Sequence, residues 1–253
     1  MAALNEIIGW LDTLLQPQDF SDYGPNGLQV PGPQEIRTVA TGVSGGLRLF
    51  EQAAEIDADL VLVHHGILWD AKRTEIDEYQ YRRLKILFDN GISLAAYHIP
   101  LDAHTEVGNN ALIASAIGLD EQRPFALHAG KAVGIAGSYP DGIATEELIE
   151  RVTAAVGGRE PLVFAAGPDP IRSVGIISGG ASSYMHFAIE QGLDAFITGE
   201  PTESAMNEAV EAGITFIAAG HYATETLGVR RLGELIAERF GVSHHFIDVP
   251  NPI

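Results

Sequence analysis

The feature that most constrains this chain is an internal repeat. The segment IRTVATGVSGGLRLFEQAAEIDADLVLVHHG starts at Ile36, and IRSVGIISGGASSYMHFAIEQGLDAFITGEP starts at Ile171. One gap aligns their Ile-Arg, Ser-Gly-Gly and later Asp. Both read as strand, glycine turn, helix, Asp, strand and polar cluster. A second pair follows in the same order, NGISLAAYHIPLDAH from Asn90 and AGITFIAAGHYATET from Ala212. Each of these strands ends in a histidine with a carboxylate four residues on, His98 with Asp102 and His221 with Glu225. Two ordered matches indicate two related α/β halves from an internal duplication, each a mostly parallel sheet flanked by helices. The pattern resets after Pro124, which puts the halves at 1–125 and 126–253, with intertwining of the two left open.

Individual elements follow from local pattern. DLVLVHH is almost continuously apolar, as a strand buried on both faces must be. EYQYRRLKILFDNG reads as a helix closed by Gly91, and TEELIERVTAAVGG as a helix capped by Thr145. GNNALIASAIG is a further helix, and KAVGIAGSYP and PLVFAAG are strands.

Composition removes several function classes. Hydrophobic residues make up 46% and charged residues 19% of 253, which excludes a disordered chain. There is no cysteine, so disulfide scaffolds, thiol nucleophiles and cysteine zinc sites are out. The formal charge of -19 argues against nucleic-acid backbones and anionic membranes as partners. No apolar run approaches the ~18 residues of a membrane span. The opening MAALNEIIGWLDTLL carries Glu6 and Asp12 and reads as an amphipathic helix, so a cytoplasmic protein is expected. An anionic substrate would need bound cations to invert the local sign.

Open α/β sheets bind ligands beyond the carboxyl ends of their strands. The residues there are His64, His65, His98 and Asp102 in the first half, and Glu200, His221 and Glu225 in the second. Imidazole and carboxylate without thiolate is a donor set for Zn, Mn, Fe or Co. Carboxylates can also bridge two cations about 3.5–4 Å apart, the arrangement of two-metal hydrolases. Each residue has a plainer reading. Neighbours on a strand point to opposite faces, so His64 and His65 converge only if the chain bends at Gly66. Asp102 could cap a helix, and Thr224 could do the same for the last one. Glu200 could be a ligand, a general base or the partner of a ligand, or could face a helix start near Pro201. His244 and His245 read as an exposed or interface strand, and His128 and His186 as structural. Taken as a cluster at equivalent strand ends, the set points to metal.

A competing constellation is Gly42-Val43-Ser44-Gly45-Gly46, which matches the G-x-S-x-G of a nucleophile elbow. Ser44 comes too early for the strands that precede such an elbow. The second half has Ile176 where the first glycine should stand, and glycines serve tight strand-to-helix turns in either case.

The motifs LVHHGILWD, AAYHIPLDAHTEVGNNALIA, DAFITGEP and AAGHYATET, with YGPNGLQV near the start, closely resemble the Nif-three-like family. Its members carry the label GTP cyclohydrolase 1 type 2 homologue. The resemblance runs from about Asn5 to Ile253 and matches the short form, without an extra domain between the halves. It implies a toroidal homohexamer with two divalent metal ions per subunit, between the halves and facing an internal cavity. The implied ligands are His64, His65, Asp102, His221 and Glu225, with Asp102 and Glu225 bridging. His98 and Glu200 are the implied catalytic candidates, and Asn26 and Gly27 the cavity lining. The implied activity is hydrolytic, a metal-activated water attacking C8 of the guanine ring of GTP, or a different hydrolysis of a nucleotide or related substrate. A non-catalytic metal chaperone or insertase, or a ring-shaped regulator, is the alternative.

Overall fold

The computed structural model describes residues 1–69 and 75–253; Asp70, which ends LVHHGILWD, lies outside them. Two compact units emerge. One contains residues 1–101 and 228–250, the other residues 102–227 and 251–253. The chain therefore leaves the first unit at Asp102 and re-enters it at Gly228. This division differs from the 125/126 boundary read from the repeat, because residues 102–125 pack with the later strands.

The first unit holds a five-stranded sheet in the order Ser243–Phe246, Thr38–Ser44, Leu60–His65, Ser93–Ala96, Gly27–Val30. The first four run parallel and Gly27–Val30 is antiparallel to its neighbour. Leu60, Val61, Leu62 and Val63 are fully buried, as the continuous apolar run requires. Val61, Val63, Ala40, Leu94, Phe50 and Leu87 share one core cluster. Full burial of one such aliphatic side chain contributes about 1.5–3 kcal/mol. Helix Leu4–Leu15 buries Leu4, Ile7, Leu11 and Leu15, the stripe its periodicity prescribes. Helix Glu78–Asp89 starts at Asp77, whose carboxylate accepts the Gln80 N–H, and is followed by Gly91 at φ +63°.

The repeated Asp has a physical role in each unit. In the first, Asp59 Oδ2 accepts the backbone N–H groups of Arg37 and Thr38 at 2.7 and 3.0 Å. In the second, Asp194 Oδ2 accepts those of Arg172 and Ser173 at the same 2.7 and 3.0 Å. Each carboxylate ties the beginning of one strand to the beginning of the next.

The second unit holds a six-stranded mixed sheet, ordered Asp120–His128, Lys131–Ile143, Ile171–Ile176, Ala195–Thr198, Thr215–Ala218, Leu162–Ala165. The three strands from Ile171 to Ala218 are parallel, and the flanking pairings are antiparallel. The edge strand Asp120–His128 has no sequence signature, since DEQRPFALH is charged and contains Pro124. An edge position tolerates both. Ile135, Leu148, Val152, Val174, Ile176, Ile197 and Ile217 form the core.

Thr145 is not a helix cap. Ala144 holds that position, and Thr145 instead donates its N–H and its hydroxyl to Asp169 Oδ1. His244 and His245 do lie on an edge strand. His128 Nδ1 meets the Tyr184 hydroxyl at 2.6 Å, and His186 Nδ1 meets the Ser183 carbonyl at 2.7 Å. No helix among the described residues is long and apolar enough to cross a membrane.

Candidate metal centre

Two parallel strands of the first unit deliver its histidines. Leu60–His65 ends in the His64-His65 pair, and His98 follows Ser93–Ala96. The pair does not splay to opposite faces, because the strand stops at His65 and the chain turns at Gly66. A Cβ at Gly66 would collide with the Gln29 amide, so a larger residue at this turn would have to displace Gln29. The His64 and His65 ring centroids are 4.7 Å apart, and His98 lies 5.0 and 5.5 Å from them. One ring nitrogen from each lies within 4.8 Å of the others.

The outer nitrogens are all engaged. His64 Nδ1 is 3.0 Å from the Tyr97 carbonyl, His98 Nδ1 is 2.7 Å from Asp22 Oδ1, and His65 Nδ1 is 2.9 Å from Ser44 Oγ. A carbonyl and a carboxylate can only accept, so His64 and His98 carry their proton on Nδ1. That leaves Nε2 as the lone-pair nitrogen, the tautomer a metal needs. Asp22 also accepts from Tyr23 N–H, Asn26 Nδ2 and Ile99 N–H. Burial alone would raise its pKa, but the His98, Asn26 and Tyr23 contacts together hold it below the ordinary value. Asn26 Oδ1 accepts the His98 N–H at 2.7 Å, so Asn26 braces this cluster. Behind His64, the buried Tyr97 hydroxyl donates to Asp12 Oδ1 at 2.6 Å. The Trp69 ring packs edge-on against His65 and His98, at 5.4 and 4.9 Å.

In the second unit His221 opens a short helix just after strand Thr215–Ala218. Its Nδ1 meets Glu200 Oε1, and its Nε2 lies 3.1 Å from Glu225 Oε1. Burial disfavours the imidazolium, yet the hydrogen bonds and charges of Glu225 and Glu200 outweigh it and raise the pKa to about 9. The spot favours a positive charge, whether proton or metal. Glu225 is 2% exposed. It reaches this position because residue 179 has no side chain. A Cβ at Gly179 (φ +65°) would strike Glu225 Oε1, and one at Gly199 would lie 2.7 Å from the His221 Cα. The Ser-Gly-Gly motif is thus more than a tight turn here.

Thr224 does not cap the last helix. Its hydroxyl accepts the Gly179 N–H at 3.0 Å and donates to the Gly220 carbonyl at 2.9 Å, pinning the two loops together. Asp102 is not a helix cap either, since Gly108 holds that position for Asn109–Ala116. Asp102 Oδ1 accepts from Asn109 Nδ2 at 2.7 Å and Ser178 Oγ at 3.0 Å. Buried Asn110 links the Asp102 carbonyl, the Val133 carbonyl and the Ser178 N–H.

Each unit thus assembles its own share of the expected residues, His64, His65 and His98 in one, and Glu200, His221, Glu225 and Asp102 in the other. The donors are imidazole nitrogens and carboxylate oxygens, which fits divalent Zn, Mn, Fe or Co. Sequence reasoning missed Asp22, Ser178 and the Asn109-Asn110 pair. Two adjacent, fully buried asparagines at a helix start are the kind of polar burial that marks a site, but burial is not readable from sequence. Ser44 is the last residue of an ordinary strand, without the left-handed backbone of a nucleophile elbow.

The family described as Duf34/NIF3 (NGG1p interacting factor 3) matches residues 2–252. A Pseudomonas aeruginosa protein named GTP cyclohydrolase 1 type 2 homolog is 42% identical over 250 residues, 99% of this chain and 98% of its own. A Deinococcus radiodurans protein of the same name is 37% identical over 246 residues, 97% of this chain and 93% of its own. Among solved structures, TTHA1606 from Thermus thermophilus superposes with a TM-score of 0.91 at 37% identity, covering 99% of this chain and 100% of that one. The structure described as protein ybgI, of unknown function, gives 0.92 at 36% identity, with the same coverage.

Proposed function

Because the chain belongs to the Duf34/NIF3 family, we propose that it is a dinuclear-metal hydrolase of the GTP cyclohydrolase 1 type 2 kind, acting on a nucleotide or a related small molecule. The observation that carries the reading is the clustering of the first unit's three imidazoles, each held by its Nδ1 and each with one ring nitrogen within 4.8 Å of the others. His64, His65, Asp102, His221 and Glu225 would hold two divalent ions per subunit. When bound, such ions supply Lewis acidity that activates water near neutral pH.

The chain's own residues do the rest. Glu200 fixes the His221 ring through Nδ1 and keeps a second carboxylate oxygen to receive a proton. His98, protonated on Nδ1 by its bond to Asp22, offers Nε2 as a base. The matching strand–helix order and the Asp59 and Asp194 ties support an origin by duplication. A cytoplasmic homohexamer completes the proposal, and light scattering tests it by the mass of six copies.

The decisive experiment is metal analysis of untagged protein purified without added ions. About two equivalents per subunit are expected, with a clear drop in His65→Ala and in Glu225→Ala. GTP turnover is measured on the same samples. Wild type without metal would sink the proposal. Full metal with no turnover of any nucleotide would assign the protein to metal handling instead.

A further inference from the structure

The chain carries 15 basic residues against 34 acidic ones, so its cations readily find acceptors. Arg82 pairs with Glu78, Lys85 with Asp89, Arg151 with Glu147, and Arg231 with Glu234 and Glu238. Half-buried Arg159 makes no hydrogen bond or ion pair among the described residues, although its neighbour Glu160 is an exposed carboxylate.

Its position is set by the fold. Gly157 and Gly158, at φ +78° and +88°, turn the chain out of helix Thr145–Ala155 toward strand Leu162–Ala165. That strand is antiparallel to Thr215–Ala218, with Leu162 opposite Ala218. Extending the register outward brings Arg159 level with His221. The side chain agrees. A Cβ at Gly220 would lie 2.5 Å from Arg159 Nε, 2.6 Å from Cδ and 3.2 Å from Cζ. The guanidinium therefore fills the space a side chain at residue 220 would occupy, one residue before His221. Glu200 and Glu225 each turn one oxygen to His221, and neither forms an ion pair with Arg159 among the described residues.

We infer that Arg159 is the anion-recognition residue of this site, receiving a phosphoryl group of the substrate. A chain of charge -19 repels anions at long range, so a phosphorylated substrate needs fixed local cations. A planar guanidinium with unused donors offers paired hydrogen bonds to two oxygens of one phosphoryl group. The inference rests on the hydrolase reading for its substrate, but its test does not depend on turnover.

The test is equilibrium binding of inorganic phosphate to the full chain, with and without added Mn or Zn, alongside metal analysis. Arg159→Ala should weaken phosphate binding about tenfold or more, the loss expected for a charge-assisted bond. Arg159→Lys should restore only part, because a point charge lacks the fork. Metal content should stay at the wild-type level in both. Equal phosphate affinity in wild type and Arg159→Ala overturns the inference, as does absence of phosphate binding in wild type under both conditions. Loss of metal in Arg159→Lys would also overturn it, since the residue would then serve the metal site. If wild type lacks metal yet loses phosphate binding through Arg159→Ala, the hydrolase reading fails while Arg159 keeps its role.

Discussion

Asp22 Oδ1 accepts the His98 Nδ1 proton at 2.7 Å, and its other oxygen accepts the Ile99 N–H at 3.0 Å. One carboxylate thus fixes both the tautomer of a site histidine and the backbone that carries it. Replacing Asp22 by Asn keeps the shape but lets Nδ1 face a donor. Because His98 is the base and not a ligand, turnover is expected to fall about 100-fold or more while metal content and the circular dichroism spectrum are retained. Turnover and metal analysis on the same sample check this, and unchanged turnover would mean that His98 needs no orienting partner.

Gly179 faces Glu225 with no room for a methyl group. Gly179→Ala should push that carboxylate off His221 and strain a backbone at φ +65°, at a cost of about 1–2 kcal/mol from the backbone alone. Metal content and melting temperature should both fall. Gly46→Ala is the control, because a Cβ there meets nothing closer than 3.8 Å.

Tyr97→Phe separates stability from metal binding. It removes the donor to Asp12 Oδ1 but keeps the carbonyl that orients His64. Stability should drop by about 1–3 kcal/mol in urea titration, with metal stoichiometry unchanged.

His244 is an acid-sensitive point of the first unit. It lies 2.8 Å from the buried Thr41 hydroxyl and is covered by Gly233. Burial lowers its pKa from 6.5, with His245 and Arg230 lowering it further and Glu234 opposing them. A folded-state pKa below the unfolded one means the unfolded chain binds the proton more readily. Stability should therefore fall as pH drops below 6.5 toward the folded value. His244→Gln should flatten that fall in melting curves taken across the window. Parallel slopes for the two proteins would remove His244 as the cause.

The sequence carried the βαβ rhythm, the strand-end clustering and the Gly66 bend, because each depends on residues close along the chain. It did not carry the hairpin from Asp120 to Ile143, whose first strand is too charged to look like one. Nor did it carry Asp22, 76 residues from the His98 it orients. Local pattern reports which residues lie at strand ends. The partners that set tautomer and direction come from loops whose approach only tertiary packing decides. The Ser-Gly-Gly motif was half legible: its glycines read as turn formers, but the carboxylate that needs the empty space at Gly179 was invisible.

The return of the chain at Gly228 has a consequence for biogenesis. Strand Ser243–Phe246 borders Thr38–Ser44, so the first sheet waits for nearly the whole polypeptide to leave the ribosome. The nested unit, residues 102–227, emerges complete apart from its last three residues and is free to fold ahead of the unit that began translation first. Nascent chains that end at residue 230 and carry a linker long enough to span the ribosomal exit tunnel should show the inner sheet protected against protease while the amino-terminal strands are still being cut.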